Sequence, residues 1–235
     1  MALYRPYSLF PLGDTALLID FGNTINEEIN DDVLRLFHFL KDQQHPFIKD
    51  LVPAYSSLAV YYDVMDVLHH MENGLTAFDV MAEMLDALIR NASDGVSPVG
   101  KTIRIPVCYA EKYATDIHYI AAQNNLSVEE IIRLHTAGTY RVYMLGFVPG
   151  FSYMGVVDEK ISIKRKPVPQ PVMAGSVGIA GRQTGIYPLD SPGGWQIIGR
   201  TLVKPFDADR QPPVLFEPGD QVKFYSVTED EFENH

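Results

Sequence analysis

The chain of 235 residues is 46% hydrophobic and 21% charged, the composition of a globular protein with enough apolar material for a real core. Its formal net charge of −11 at pH 7 argues against nucleic acid as a partner, because phosphate binding requires clustered lysine and arginine. No window approaches the roughly 18 apolar residues of a membrane span, and prolines interrupt the N-terminal segment where a signal peptide needs a continuous apolar run, so we expect a cytoplasmic protein.

The first part of the chain alternates between strand and helix patterns. Alternating apolar residues predict strands, and apolar residues at spacings of three and four predict helices. In chain order these are two strands within 7–21, a helix opened by the capping pattern Thr24-Ile25-Asn26-Glu27, strands at 48–54 and 57–63, and a helix at 76–90. This order predicts a small α+β domain over residues 1–93, with a split βαβ, ferredoxin-like arrangement. The turn-forming run 91–98 is the predicted linker.

The second part, residues 99–235, opens with helices and then becomes rich in short strands. A strand is predicted at 101–109, followed by helices at 115–123 and 127–137, the second of which stops at Gly138. Beyond Gly138 no helix is predicted. Short apolar runs separated by glycine and proline continue to Val227, which predicts a barrel or a sandwich. We expect a frayed acidic C-terminus and a buried Cys108.

The stretch 174–200 holds seven glycines interleaved with β-branched and aromatic residues. A flexible linker would leave these apolar side chains exposed, so the pattern favours short strands joined by formed loops that line a pocket. The corner-turning glycines of a small β-barrel without a ligand are the alternative. The glycines predicted to shape the pocket loops are Gly175, Gly178, Gly181, Gly193 and Gly194.

Polar residues in the same stretch are candidates for binding a small anionic substrate. Arg182 and Arg200 each follow a glycine, and a guanidinium can hold a carboxylate or phosphate through two parallel hydrogen bonds. Ser176, Gln183 and Thr184 are candidates to orient the substrate by hydrogen bonds. Isolated surface arginines are common, so a purely structural role stays open for both.

Two ring-bearing residues are further candidates. Trp195, the only tryptophan, follows two glycines and fits either a buried core position or a pocket wall against which a flat substrate packs. His135 lies near the end of its predicted helix, where the helix dipole would favour its charged form. It is a candidate general acid or base, with a helix-capping role as the alternative.

Signatures of metal and nucleotide sites are missing from the sequence. The run Gly175-x-x-Gly178-x-x-Gly181 lacks the Gly-Lys-Ser/Thr ending with which a P-loop holds phosphates and magnesium. No histidine or cysteine pairs occur at zinc-ligand spacing. No metal site is therefore predicted in this chain.

Three runs carry a resemblance to a known family: GFVPGFSYMG at 146–155, AGSVGIAGRQTGIYPLDSPGGWQIIGRT at 174–201 and FEPGDQVKF at 216–224. They resemble the B-subunit family of bacterial ATP-dependent 5-oxoprolinase, also labelled allophanate hydrolase subunit 1, which includes the kinase inhibitor KipI. The resemblance implies a cyclophilin-like β-barrel for 99–235 behind a smaller α/β domain. It also implies an enzyme in which A, B and C subunits together hydrolyse 5-oxoproline to glutamate with ATP, and a B subunit that is inactive alone.

One departure from the family lies between the first two motifs. Where the family usually shows Pro-Arg pairs, this chain has Ile163-Lys164 and Val168-Pro169. Lysine keeps the charge but loses the planar two-pronged donor, and proline carries no charge. Arg165 and Lys166 are the candidates to replace the missing arginines.

The resemblance leaves three functions open. As an enzyme subunit, the chain would bind a carboxylate and a phosphate through Arg182, Arg200, Lys166 and the backbone amides of 175–181. It would contact the C subunit through an exposed apolar patch around Phe147, Phe151 and Tyr153. The alternatives are an inhibitor of a sensor histidine kinase and a carboxyltransferase-like component that acts on a urea derivative.

Overall fold

The structure of the protein is a computed structural model. It describes residues 4–69, 75–92 and 100–234. The chain divides into two compact units, Met1–Pro98 and Val99–His235. The sequence-based limits of 1–93 and 99–235 stay predictions, because linker residues 93–98 lie outside the described residues.

The first unit is a four-stranded antiparallel sheet with the strand order β1-β2-β4-β3. Its elements are β1 Ser8–Pro11, β2 Ala16–Asp20, α1 Glu27–Gln43, β3 Ile48–Pro53, β4 Ser57–Tyr62, α2 Val64–His69 and α3 Ala77–Arg90. Because β4 lies between β2 and β3 and is antiparallel to both, β2 and β3 run parallel to each other, with α1 connecting them. The unit therefore mixes α and β as predicted, while the name ferredoxin-like stays a prediction.

The helices of the first unit pack on one face of this sheet. Inward residues of the central strands, such as Leu17 and Val60, share a core with Leu36 of α1 and Met81 of α3. The cap of α1 differs from the sequence prediction, because Asn26 and not Thr24 accepts the free amide of the first turn (Ile29 N to Asn26 Oδ1, 3.1 Å). The short helix α2 was not predicted, since six residues are too few to show a period.

The second unit is a closed barrel of seven strands in the order β10-β7-β6-β13-β5-β12-β9. The barrel strands are β5 Thr102–Cys108, β6 Tyr140–Leu145, β7 Ser152–Gly155, β9 Ser176–Ala180, β10 Gln183–Ile186, β12 Gln196–Arg200 and β13 Gln221–Val227. Two short strands, β8 Gln170–Val172 and β11 Ser191–Gly193, pair separately. The helices are α4 Ile117–Asn124, α5 Val128–Ala137 and α6 Glu229–Glu233, with a 3₁₀ turn at Glu159–Ile161. The barrel agrees with the strand-rich pattern, and Cys108 is buried as expected.

The C-terminal end of the described chain is a helix, so the predictions of a frayed end and of no helix beyond Gly138 are wrong. Thr228 caps α6 through a reciprocal pair of hydrogen bonds with Glu231. Phe232 is buried, and its ring packs 4.7 Å from that of Tyr113. One buried apolar residue and one cap are enough to order a single helical turn. Both escaped the sequence analysis because they lie within a run of acidic residues.

Helix length also bears on the membrane question. Within residues 4–69, 75–92 and 100–234, every helix is too short or too polar to cross a bilayer.

Candidate functional site

A cleft of about 710 Å³ lies against the barrel wall of the second unit. Its lining combines aromatic, glycine and cationic residues: Phe147, Phe151, Tyr153, Lys164, Arg165, Pro169, Ala180, Gly181, Gln183, Tyr187, Pro192, Gly193, Gly194 and Trp195. A concave site of this size, mostly apolar with a few polar groups, is typical of small-molecule binding.

The cleft lies on the side of the wall away from the main core. On β9 and β10, Ile179 and Ile186 belong to the main barrel core. Ala180 of β9 and Tyr187, which directly follows β10, belong to a separate cluster around Trp195. Successive residues of a strand point to opposite faces. The same two strands therefore supply the barrel interior and the wall of the cleft.

Two glycines form the surface on which the indole of Trp195 lies. Gly178 and Gly185 are cross-strand partners. A Cβ atom on Gly178 would lie 3.1 Å from Trp195 Cβ, and one on Gly185 would lie 3.2 Å from Trp195 Cζ3. The dense glycines of the sequence are thus explained in part by the close approach of a large ring to the strands.

Aromatic side chains make up the rest of the apolar wall. The ring of Phe151 packs edge-on against Trp195, Tyr187 and Tyr153, at centroid distances of 5.3, 5.2 and 4.9 Å. Phe151 is 1% exposed, so the predicted exposed patch is wrong for this residue, whereas Phe147 is 60% exposed. Phe147 also has a positive φ of 71°, a strained conformation for a bulky residue that often marks functional positions.

The electrostatic character of the cleft opposes that of the whole chain. Lys164 and Arg165 line it, and no described residue of the lining is acidic, although the chain carries 30 aspartate and glutamate residues. Burial raises the pKa of Tyr153 and of Tyr187, with the nearby Arg165 acting in the opposite direction. Both phenols therefore stay protonated at neutral pH and can donate hydrogen bonds.

His135 lies outside the cleft, buried in the core of the second unit. Its Nδ1 is 2.7 Å from Tyr109 Oη, and its Nε2 is 3.0 Å from Thr184 Oγ1. Because the Thr184 hydroxyl donates its proton to the carbonyl of Gly178, Nε2 carries the proton toward Thr184 and Nδ1 accepts from Tyr109. The imidazole also stacks on the rings of Tyr140 and Phe224.

Burial decides the charge of this histidine. It is fully enclosed, and burial lowers its pKa to about 3, so the prediction that the helix dipole would favour the charged form is wrong. Loss of hydration outweighs the dipole because no water reaches the ring. Its position gives no support to the predicted role as general acid or base, because both nitrogens are bonded within the core.

The structure separates the other sequence-predicted residues into two groups. Gln183, Trp195, Gly181, Gly193 and Gly194 line the cleft. Those that do not line it are Ser176, Arg182, Thr184, Arg200, Gly175 and Gly178.

The contacts of this second group show why its members lie elsewhere. Arg200 donates from Nε to the carbonyl of Ala174 (2.9 Å). Ser176 and Thr184 are buried, whereas Arg182 is exposed at the turn between β9 and β10. Thr184 points into the core toward His135, and Ser176 and Arg200 pair with each other at the end of β9 away from the Gly181 turn.

The backbone amides of 175–181 are also engaged. β9 pairs with β10 on one side and with β12 on the other. At the ends of the run, the Gly175 amide donates to Tyr187 O (2.7 Å) and the Gly181 amide to Ile163 O (2.6 Å). The predicted phosphate-binding role of these amides is wrong, because strand pairing already uses them.

Comparison with known proteins assigns the chain to a family. The profile described as "Carboxyltransferase domain, subdomain C and D" matches residues 7–216. The chain belongs to this family. It is 39% identical over 228 residues to a protein named as the B subunit of 5-oxoprolinase, from Bacillus subtilis (strain 168), covering 96% of this chain and 95% of that protein. It is 33% identical over 216 residues to the protein of the same name from Escherichia coli O157:H7, covering 91% and 93%.

A solved structure extends the likeness to the fold. The crystal structure of TTHA0988 superposes with a TM-score of 0.75 at 35% identity, covering 90% of this chain but only 39% of that longer chain. The predicted resemblance to the family of 5-oxoprolinase B subunits is confirmed by the two relatives of nearly equal length.

Arg165 is the main cleft residue that the sequence analysis underrated. It was considered only as a replacement for a missing family arginine, yet it lines the cleft, whereas the other candidate, Lys166, pairs with Asp116. The available signal was the Lys164-Arg165-Lys166 run next to proline in an acidic chain. Tyr187 was missed because a tyrosine in an apolar run reads equally well as core.

Metal ligation was also considered in the three-dimensional arrangement. Among the residues that the structure describes, no three histidine, cysteine, aspartate or glutamate side chains lie together as a metal site requires.

Proposed function

We propose that this chain is the B subunit of an ATP-dependent 5-oxoprolinase, which works with A and C subunits to hydrolyse 5-oxoproline to glutamate. The observation that carries the proposal is the likeness, along nearly the whole of both chains, to two proteins named as B subunits of 5-oxoprolinase. The chain alone is proposed to be inactive.

The cleft supports a substrate of this kind. 5-Oxoproline is a flat five-membered lactam that carries one carboxylate, and the cleft offers aromatic walls, two cations and no described carboxylate. The protonated phenols of Tyr153 and Tyr187 and the amide of Gln183 supply hydrogen-bond donors for the lactam carbonyl. An acidic ligand would otherwise be repelled by a chain of net charge −11.

ATP is assigned to the complex and not to a site in this chain. Opening a stable lactam with ATP is proposed to begin with phosphorylation of its amide oxygen, which releases ADP. Addition of water to the activated carbon and expulsion of the ring nitrogen as a protonated amine then break the C–N bond and leave an acyl phosphate, which a second water hydrolyses to glutamate and phosphate. The amides of 175–181 are engaged in strand pairing, so this chain offers no free glycine loop there for the phosphates. We place the contact with the C subunit at the cleft mouth, beside the exposed Phe147.

The test is reconstitution of the complex. The chain is co-expressed with candidate A and C subunits from the same genome, and glutamate is measured with and without ATP. Turnover that requires all three chains is the expected result. In the complex we expect Gln183→Ala, in the cleft, to lower turnover, whereas Gln221→Ala, on β13 away from the cleft, leaves it unchanged.

Two other results would reject the proposal in different ways. A complex that forms without making glutamate would favour the carboxyltransferase alternative, which the family description supports. Failure to form any complex would favour the kinase inhibitor.

A further inference from the structure

A short segment crosses the edge of the cleft and carries both of its cations. We call residues 162–166 the strap. Four hydrogen bonds anchor its backbone. Ile163 exchanges two of them with Gly181, one from the Gly181 amide to Ile163 O (2.6 Å) and one from the Ile163 amide to Gly181 O (3.3 Å). Gln196 Nε2 donates to Lys164 O (3.1 Å), and the Lys166 amide donates to Gly194 O (2.7 Å). The strap is therefore held on both sides of Arg165 by the strands and loop that form the cleft.

A shielded ion pair fixes the downstream end of the strap. Lys166 Nζ lies 2.6 Å from Asp116 Oδ2, and the two side chains are only 18% and 17% exposed. The same carboxylate oxygen accepts the backbone amide of Ile197 (2.7 Å), which ties the pair to β12. A pair that is so little exposed is screened by salt much less than a surface pair.

Between these fixed points, the side chain of Arg165 enters the cleft. A Cβ atom on Gly194 would lie 3.4 Å from Arg165 Nε and 3.5 Å from its Nη2, so the guanidinium lies over this glycine. No residue of 4–69, 75–92 or 100–234 forms a hydrogen bond or an ion pair with the Arg165 side chain. The strap thus holds a two-pronged donor in place while leaving its donors free.

We propose that Arg165 is the carboxylate anchor of the cleft and that Asp116, through Lys166, is its positioning residue. The ligand class is a small planar monocarboxylate, and only its identity as 5-oxoproline rests on the proposed function. A guanidinium binds a carboxylate through two parallel hydrogen bonds, whereas an ammonium acts as a point charge. Lys164 therefore contributes long-range attraction and Arg165 contributes the directed contact.

Ligand binding can be measured on the full chain without partners or ATP. Trp195 is the only tryptophan and lines the cleft, so its fluorescence reports binding there. We expect a saturable change with 5-oxoproline and none with 2-pyrrolidinone, the same ring without the carboxylate, at equal concentration. No change with 5-oxoproline or with any other small planar carboxylate would overturn the proposal.

Substitutions then test the two residues separately. Arg165→Gln should weaken binding at least tenfold and Arg165→Lys by less. Arg133→Gln, which breaks an exposed pair with Glu130 on α5 outside the cleft lining, should not change it. Unchanged binding by Arg165→Gln would overturn the anchor. Because Arg165 is exposed, its variants should fold normally.

Asp116→Asn keeps an oxygen for the Ile197 amide but removes the ion pair. It should weaken 5-oxoproline binding roughly threefold to tenfold, and Asp116→Glu should restore part of the loss. The salt dependence of 5-oxoproline binding separates a positioning role from a general structural effect. Raising the salt concentration should weaken binding more in Asp116→Asn than in the parent chain. The same salt response in both would overturn the role of Asp116.

The binding assay and the glutamate assay can fail independently. Arg165-dependent binding of another small planar carboxylate, but not of 5-oxoproline, would uphold the anchor and reject the proposed enzyme. Glutamate formation that is insensitive to Arg165→Gln would uphold the enzyme and reject the anchor.

Discussion

The core of the second unit and the cleft on its wall share strands, but polar side chains are hydrogen-bonded in the core and left available in the cleft. In the core, His135 has both ring nitrogens bonded, to Tyr109 and Thr184. At the cleft, the backbone around Arg165 is anchored while its guanidinium is left without a partner among the described residues. A buried polar group must be satisfied by the fold itself, whereas a binding group must be held in place and left unsatisfied.

The largest effect should come from the core. His135→Ala removes a fully enclosed ring, which leaves the Tyr109 hydroxyl without its acceptor and the Thr184 oxygen without one of its two hydrogen bonds. We expect the free energy of unfolding to fall by about 3–5 kcal/mol, measured by urea denaturation. Arg165→Gln, the counterpart at the cleft, should change it by less than about 0.5 kcal/mol. Equal losses in both variants would contradict the division of roles.

The second prediction concerns acid. Burial lowers the pKa of His135 from 6.5 to about 3 in the folded state, so below pH 6.5 the unfolded chain binds a proton that the folded chain does not. This contribution to stability is complete above pH 6.5 and is lost as the pH falls toward 3, at about 1.4 kcal/mol per pH unit. Tyr109 and Tyr140, which face the ring, stay neutral throughout because burial raises the pKa of each.

The measurement is the free energy of unfolding at pH 7 and at pH 4.5, in the parent chain and in His135→Gln. The parent should lose about 2–3 kcal/mol more than the variant over this interval. The same loss of stability in both proteins would show that the pKa of His135 is not lowered in the folded state.

The smallest effect tests the surface under the indole. A Cβ on Gly185 would lie 2.8 Å from Ser152 O and 3.2 Å from Trp195 Cζ3, so Gly185→Ala should cost about 1–3 kcal/mol of stability and shift the Trp195 emission. Gly146→Ala is the matched control, because the nearest atom to its Cβ is Met144 Cε at 3.5 Å, an ordinary contact. Equal changes in stability and emission in the two variants would mean that the packing of the Trp195 indole does not require a glycine at position 185.

Much of the local structure follows from the sequence pattern. Apolar periodicity predicted α3 and α5, and in the structure the hydroxyls of Thr76 and Ser127 accept free amides of their first turns. The short helices α2 and α6 escaped, since one or two turns show no period. Asn26 and Thr24 are both suitable caps, and only the backbone conformation decides between them.

The sequence by itself determined the family, through its long glycine-rich motifs, and the alternation of side chains along each strand. It could not determine which side of β9 and β10 faces the core, because alternation separates two faces without saying which one the closing barrel encloses. Thr184 was therefore predicted beside Gln183 at one site, and the fold places them on opposite sides of the wall. Tertiary structure also paired Lys166 with Asp116 and left Arg165 free, and it made His135 neutral. Charge state and pairing depend on burial by segments distant in the chain, and no local pattern carries that information.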